Sequence, residues 1–300
     1  MKVLKSYSQG IKRSTAEGKM VWLLWLVNIL FASIIYFTFS GFLTRTLSDR
    51  AAAQNFLKTF DMNTFFELTT HHGREVNTIV SLGIFLLISY IFASVFLNGG
   101  ILFTLIHPTK TNAKKRLAPL FFQGAGKFFG RFFRLLIYSL ILWFVVIIAV
   151  SLLHMILSSF TEGNPNEALL FYLILVRVAV ALFLVFMVKM ILDYARIKIV
   201  IEDSRKIFYS LFQAMGFVFR KWWSTLAIYY LYLLTAAAIA VFFWLVQEVM
   251  ETHSLLPILI SFLIGQIFIL SRGWIKVGLQ SAQMAFYKKT PPGRLEDKEE

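Results

Sequence analysis

Read for polarity alone, the chain alternates long apolar runs with connections rich in Lys and Arg. The runs near 20 to 43, 77 to 106, 135 to 158, 168 to 192, 222 to 247 and 255 to 276 are each long enough to cross a hydrocarbon core, which needs about 20 helical residues. The pattern predicts an all-α integral membrane protein with six transmembrane helices arranged as three hairpins. No Gly-Pro break separates Arg196 to Ile201, or Val277 to Tyr287, from the spans before them. The fourth and sixth helices are therefore expected to continue past the apolar layer. The first run is longer than a signal-peptide core and has no small-x-small cleavage site behind it, so it is expected to stay as a span.

Between spans the periodicity changes. In "FFQGAGKFFGRFFRLL", residues 121 to 136, a helical wheel puts Gln123, Gly124, Lys127, Gly130, Arg131 and Arg134 on one side. Phe121, Phe122, Ala125, Phe128, Phe129, Phe132, Phe133 and Leu136 fall on the other. Such a basic amphipathic helix is expected to lie in the head-group layer, rings among acyl chains and cations toward phosphates.

The stretch recurs 90 positions later, where "FQGAGKFFGRFFRLL" (122 to 136) aligns with "FQAMGFVFRKWWSTL" (212 to 226). The second copy extends its polar stripe back through Ser210, Lys206 and Asp203, broken only at Phe217. A weaker copy, with Lys2, Lys5, Gln9, Lys12 and Ala16 at helical spacing, precedes the first span. Three units, 1–107, 108–200 and 201–290, are expected within one polytopic membrane domain of residues 1–290. In each, a basic interfacial helix leads into a hairpin. The charged, Pro-containing residues 291–300 read as a disordered cytoplasmic tail.

Composition agrees with this reading: 58% of the 300 residues are hydrophobic and 15% charged, with mean hydropathy +0.70, more apolar than a soluble domain can bury. The net charge of +14 lies beside apolar spans and not on a soluble face. Anionic phospholipids, not nucleic acid, are thus the expected partners. The N-terminus, the 107 to 134 and 193 to 221 connections and the region from Arg272 hold most of the 30 Lys and Arg. The opposite connections hold only Arg45, Arg50, Lys58 and Arg74. By this asymmetry both termini are expected in the cytoplasm of a plasma (inner) membrane protein. With no cysteine, disulfides and thiolate chemistry do not arise.

The connection "IVIEDSRKIFYSLFQAMGFVFRKWWSTL" has Glu202-Asp203, then a helix, then Trp222 and Trp223 opening a span. In this it resembles bacterial six-span proteins related to the membrane domain of glycerophosphodiester phosphodiesterases. The likeness is clearest over 193 to 240. In that family the phosphodiesterase chemistry belongs to a separate soluble barrel, for which these residues have no counterpart, so the resemblance implies a membrane module alone.

Few residues invite chemistry. Arg177 lies about 14 Å along its helix from the outer end, near mid-bilayer, where a charge by default faces a bundle interior or wet cavity. No carboxylate shares its depth, which leaves Asn28, Ser89, Ser94, Ser151, His154, Thr235 and Gln266, or a lipid phosphate or substrate anion, as partners; the alternative is a snorkelling arginine hydrogen-bonded to backbone carbonyls. Lys189, Asp193 and Arg196 share one helix face at the cytoplasmic boundary, with the carboxylate flanked by two cations. His71 and His72 beside Glu67 and Glu75 lack metal-site spacing. The glycines of "GAGKFFG" form no phosphate loop, but Gly126 and Gly130 make a GxxxG pair suited to close helix contact.

No nucleophile, base and orienter assemble, so no enzyme, cofactor or metal is expected. The reading is a non-enzymatic membrane protein whose Lys127, Arg131, Arg134, Lys206, Arg220 and Lys221 bind anionic head groups, in lipid binding, sorting or membrane organisation. The alternative is a solute or lipid transporter with a site near Arg177. Spans apolar all round also suit a homo-oligomer or another membrane-protein partner.

Overall fold

The computed structural model describes residues 2–46, 62, 66, 70, 71, 73–107, 117–159, 167–249 and 255–290. Arg50, Lys58, Glu67 and His72, and the 291–300 tail, lie outside the described residues. Among those described, eight bounded helices follow in order: α1 (Lys2–Ala16), α2 (Gly18–Thr46), α3 (Gly73–Ile106), α4 (Leu117–Ser159), α5 (Glu167–Ile201), α6 (Ile207–Arg220), α7 (Trp222–Val249) and α8 (Leu255–Lys289). The protein is all-α, and α2, α3, α4, α5, α7 and α8 are long and apolar enough to cross a membrane.

Two compact units divide the chain, Met1–Val21 with Phe96–Glu300, and Trp22–Val95. In the smaller one, α2 meets α3 where Tyr90 Oη donates to Asn28 Oδ1 at 3.1 Å and Phe31 packs edge-on to the Tyr90 ring. Leu86 and Val95 are buried, whereas Leu26, Phe37 and Phe85 are among its large side chains that stand exposed.

The larger unit holds its core at the helix ends. Helices α4, α5 and α8 have 43, 35 and 35 residues, hence about 64, 52 and 52 Å, against a hydrocarbon layer of about 30 Å. Each overhangs the layer, and the overhangs pack together. Leu102, Phe128, Leu135, Ile191, Tyr194, Ile199 and Met284 are fully buried, whereas the most apolar windows of the spans are only 0 to 17% buried. The physical reason is that lipid solvates an apolar helix face as well as another helix does. Beyond the lipid, water restores the hydrophobic drive.

Helix α1 joins this core. It runs antiparallel to α8, with Lys289 Nζ donating to Gln9 Oε1 at 2.9 Å and Trp274 Nε1 donating to Thr15 Oγ1 at 3.2 Å. Ser6, Gly10 and Ser14, spaced by four, are its buried face, so small residues let two backbones approach closely. Arg13 Nη1 donates to the Leu105 carbonyl at 2.8 Å, satisfying one of the orphan acceptors at the end of α3. A separate basic helix does precede the first span; its small polar face is taken up by protein, and its lysines 2, 5 and 12 point outward.

The first amphipathic stretch is also corrected. Residues 121 to 136 do not form a separate interfacial helix but the opening turns of the continuous α4. Pro119 stands in the first turn, where proline costs no hydrogen bond, and no later proline interrupts the helix before Ser159. Phe121, Ala125, Phe128, Phe132 and Leu135 are buried in protein, and of this stretch's rings Phe122 is the exposed one. The second copy does break: α6 ends at Arg220, Lys221 N–H bonds Phe217 O at 3.0 Å, and α7 starts at Trp222. Even so, burial coincides across the two copies at Phe121/Leu211, Gly124/Ala214, Phe128/Val218 and Leu135/Thr225. Phe217, read as a break in a polar stripe, is core, packed on Tyr194, Phe286 and Tyr287.

The glycine contact differs too. Nothing lies within 4 Å of where side chains at Gly126 or Gly130 would begin. Close approach occurs instead at Gly99 and Gly100 of α3 against Gly124 and Phe121 of α4, where a Cβ on Gly100 would lie 2.6 Å from the Phe121 ring. Asn98 to Gly100 lie within uninterrupted helix.

Candidate functional site

The turn after α5 organises the cations of α4. Ser204 N–H bonds Ile199 O at 3.2 Å, and Asp203 has φ of 49°, the left-handed residue and six-to-one bond that close a Schellman motif. Glycine is usual there; aspartate tolerates the conformation and adds a carboxylate. That carboxylate accepts from Lys127 Nζ at 2.9 Å and Arg131 Nη1 at 2.5 Å. The two cations hold the Asp203 carboxyl below its ordinary range. Both also lie over the Phe128 ring, at 5.3 and 5.0 Å from its centroid.

The six cations read as head-group ligands therefore separate into two kinds. Lys127 and Arg131 are engaged with Asp203. Arg134, Lys206, Arg220 and Lys221 are exposed, and the four ion pairs found among the described residues include none of them. Arg205, which sequence reading passed over, is exposed beside Lys206.

The trio on α5 is also divided. Arg196 pairs with Asp193 Oδ1 at 2.9 Å, and Tyr229 of α7 donates a short hydrogen bond to Asp193 Oδ2. Lys189, expected to flank the same carboxylate, has no hydrogen-bond or ion-pair partner among the described residues and is exposed. Lys276 of α8 joins the electrostatic neighbourhood of Asp193, Arg196 and Lys189. The cluster thus carries one carboxylate and three cations.

Beneath it lies a polar layer. Gln280 Nε2 donates to Asn98 Oδ1 at 3.0 Å, while Gln280 Oε1, Ser281 Oγ and Tyr194 Oη are buried without hydrogen bonds. Gln283 is fully buried with its amide beside the Tyr229 hydroxyl. Sequence reading missed Tyr229, Lys276 and both glutamines. The signal was present in "IKVGLQSAQMAF", where polar residues recur at three- and four-residue spacing on a helix that is otherwise apolar.

Next to the cluster, between α5, α7 and α8, is a groove of about 480 Å³. On α5 it runs from Ala179 past Phe186 to Lys189; Trp222, Leu233 and Ala236 of α7 line it opposite.

Arg177 finds His154. Its Nη1 donates to His154 Nδ1 at 2.8 Å, which fixes the ring proton on Nε2. Of the other candidates, Thr235 bonds Tyr7 and Asn28 bonds Tyr90. The pair borders a shallow cavity of about 230 Å³ with Leu157, Leu170 and Ile174. Among the described residues no group of histidine and carboxylate side chains has the geometry of a metal site.

Compared with known proteins, the chain matches no family model, no curated protein and no solved structure.

Proposed function

We propose that this six-span membrane protein is a non-enzymatic module that engages anionic phospholipids on the side carrying its basic connections, the cytoplasmic side of a plasma membrane. One observation carries the reading. Arg134, Lys206, Arg220 and Lys221 stand exposed at the ends of apolar spans with no carboxylate partner among the described residues. Each cation near a membrane surface contributes on the order of 1 kcal/mol with acidic lipid. Together they enrich such lipids around the protein. The resemblance to membrane domains of glycerophosphodiester phosphodiesterases fits a module of this kind.

The alternative, a solute or lipid transporter with a site near Arg177, draws on the cavity beside that residue. Native mass spectrometry of the full chain with co-isolated lipids separates the two. Replacing Arg134, Lys206, Arg220 and Lys221 by glutamine should lower the amount of phosphatidylglycerol and cardiolipin that the protein retains. Unchanged retention refutes the role given to these four cations and directs attention to Arg177.

A further inference from the structure

The groove between α5, α7 and α8 is built for more than a lipid annulus. Its volume of about 480 Å³ falls within the roughly 300–1,000 Å³ of small-molecule sites. Along α5 its wall extends from Ala179 to Met190, about 16 Å of helix and so about half of a 30 Å hydrocarbon layer, one leaflet deep. Small residues, Ala179 and Ala236, leave the space that a larger side chain would occupy. Phe183, Phe186 and Leu233 are exposed along it, an apolar rim of the kind that suits acyl chains alongside helices long and apolar enough to cross a membrane.

Charge is placed at one end. Lys189 lines the groove in the last turns of its α5 wall. The nearby carboxylate of Asp193 is engaged with Arg196 and Tyr229 and forms no ion pair with Lys189 among the described residues. With Arg196 balanced by Asp193, Lys276 adds a second cation to Lys189. An unpaired ammonium at the boundary end of a one-leaflet apolar slot matches the two parts of a phospholipid, an anionic phosphate and a chain.

We propose that the groove holds one acyl chain of an anionic phospholipid from the surrounding leaflet, with the lipid phosphate at Lys189. The site rests on the general reading that this protein engages anionic lipid, but it differs from the exposed cations in stoichiometry and in place. One lipid binds here, held by chain and phosphate together.

The test uses the full chain in nanodiscs, with palmitoyl-oleoyl phosphatidylglycerol titrated against phosphatidylcholine and counted by native mass spectrometry. Lys189→Gln should weaken the first-bound phosphatidylglycerol about fivefold, the factor expected from one surface cation, and leave phosphatidylcholine unchanged. Ala236→Trp fills the slot from an accessible wall and should remove the first-bound lipid of either kind. The quadruple variant Arg134, Lys206, Arg220 and Lys221→Gln should lower the later-bound lipids and spare the first. If Lys189→Gln and Ala236→Trp leave the first site intact while the quadruple variant loses lipid, the groove assignment is wrong and the broader reading stands. Loss only in the groove variants upholds the groove and removes the role of the exposed cations.

Discussion

Gly10 of α1 stands against Gly278 of α8 with no room for a side chain between them. A Cβ on Gly10 would lie 2.6 Å from the Gly278 carbonyl oxygen and 2.8 Å from Ala282 Cβ. Gly10→Val should therefore push α1 off the core, costing about 1–3 kcal/mol or more by overpacking, read as a fall in thermal midpoint in detergent. Gly126→Ala is the contrast, since nothing lies within 4 Å of the new methyl. It should leave the midpoint unchanged or raise it, as glycine is the poorer helix former by roughly 0.5–1 kcal/mol. Equal losses in both variants would remove the packing explanation.

That contrast marks what the sequence made legible. The six spans follow from length and hydropathy, which depend on a residue's own side chain and its near neighbours. The partner of a glycine does not. Gly126 and Gly130 have the better spacing, yet the close approach is made by Gly10, Gly124 and Gly100, because tertiary packing decides which face meets another helix. The wheel of 121 to 136 was likewise right about its two sides and wrong about what covers the apolar one. Phe128 and Phe132 meet protein because α4 overhangs the lipid, a fact set by helix lengths elsewhere in the chain. His154 was among several candidates for Arg177, and only depth and facing could single it out.

Asp203 links the α5–α6 turn to α4, so its charge should matter in a defined pH window. Its folded carboxyl titrates below the ordinary value. The pair is therefore fully present above about pH 4, where the unfolded carboxyl is ionised, and is lost as pH falls through the depressed folded value. Asp203→Asn tolerates the same left-handed backbone and removes only the charge. Since Asp203 is half exposed, the difference in stability should be at most about 1 kcal/mol. It should appear at neutral pH, vanish in strong acid and shrink in 1 M salt. A difference that persists in acid would assign the effect to the backbone turn. The same variant releases Lys127 and Arg131, so phosphatidylglycerol retention should rise and not fall.

Asn98 is the partner of Gln280 in a buried pair joining α3 to α8. Asn98→Leu keeps similar bulk but leaves the Gln280 amide with no acceptor, which should cost about 1–3 kcal/mol. Pairing the change with Gln280→Leu should recover much of the loss. A double-mutant cycle on thermal midpoints checks this, and strictly additive losses would mean the hydrogen bond contributes nothing.

The guanidinium of Arg177 relies on the ring nitrogen of His154. His154→Phe removes that acceptor within an apolar stretch and should lower stability by roughly 1–3 kcal/mol. His154→Phe with Arg177→Leu should restore it. If the pair serves only packing, the double variant will also leave any solute flux in proteoliposomes unchanged; a loss of flux with restored stability would favour transport.

Helix α4 has no hinge between its lipid-facing length and the turns that carry Lys127 and Arg131. A chain with an elbow could absorb a change of bilayer thickness by bending at the joint. A rod cannot, and a span that outruns its membrane answers mismatch by tilting. Whatever inclination the lipids impose on residues 135–159 is carried to the other end of the same lever, where two cations rest on Asp203.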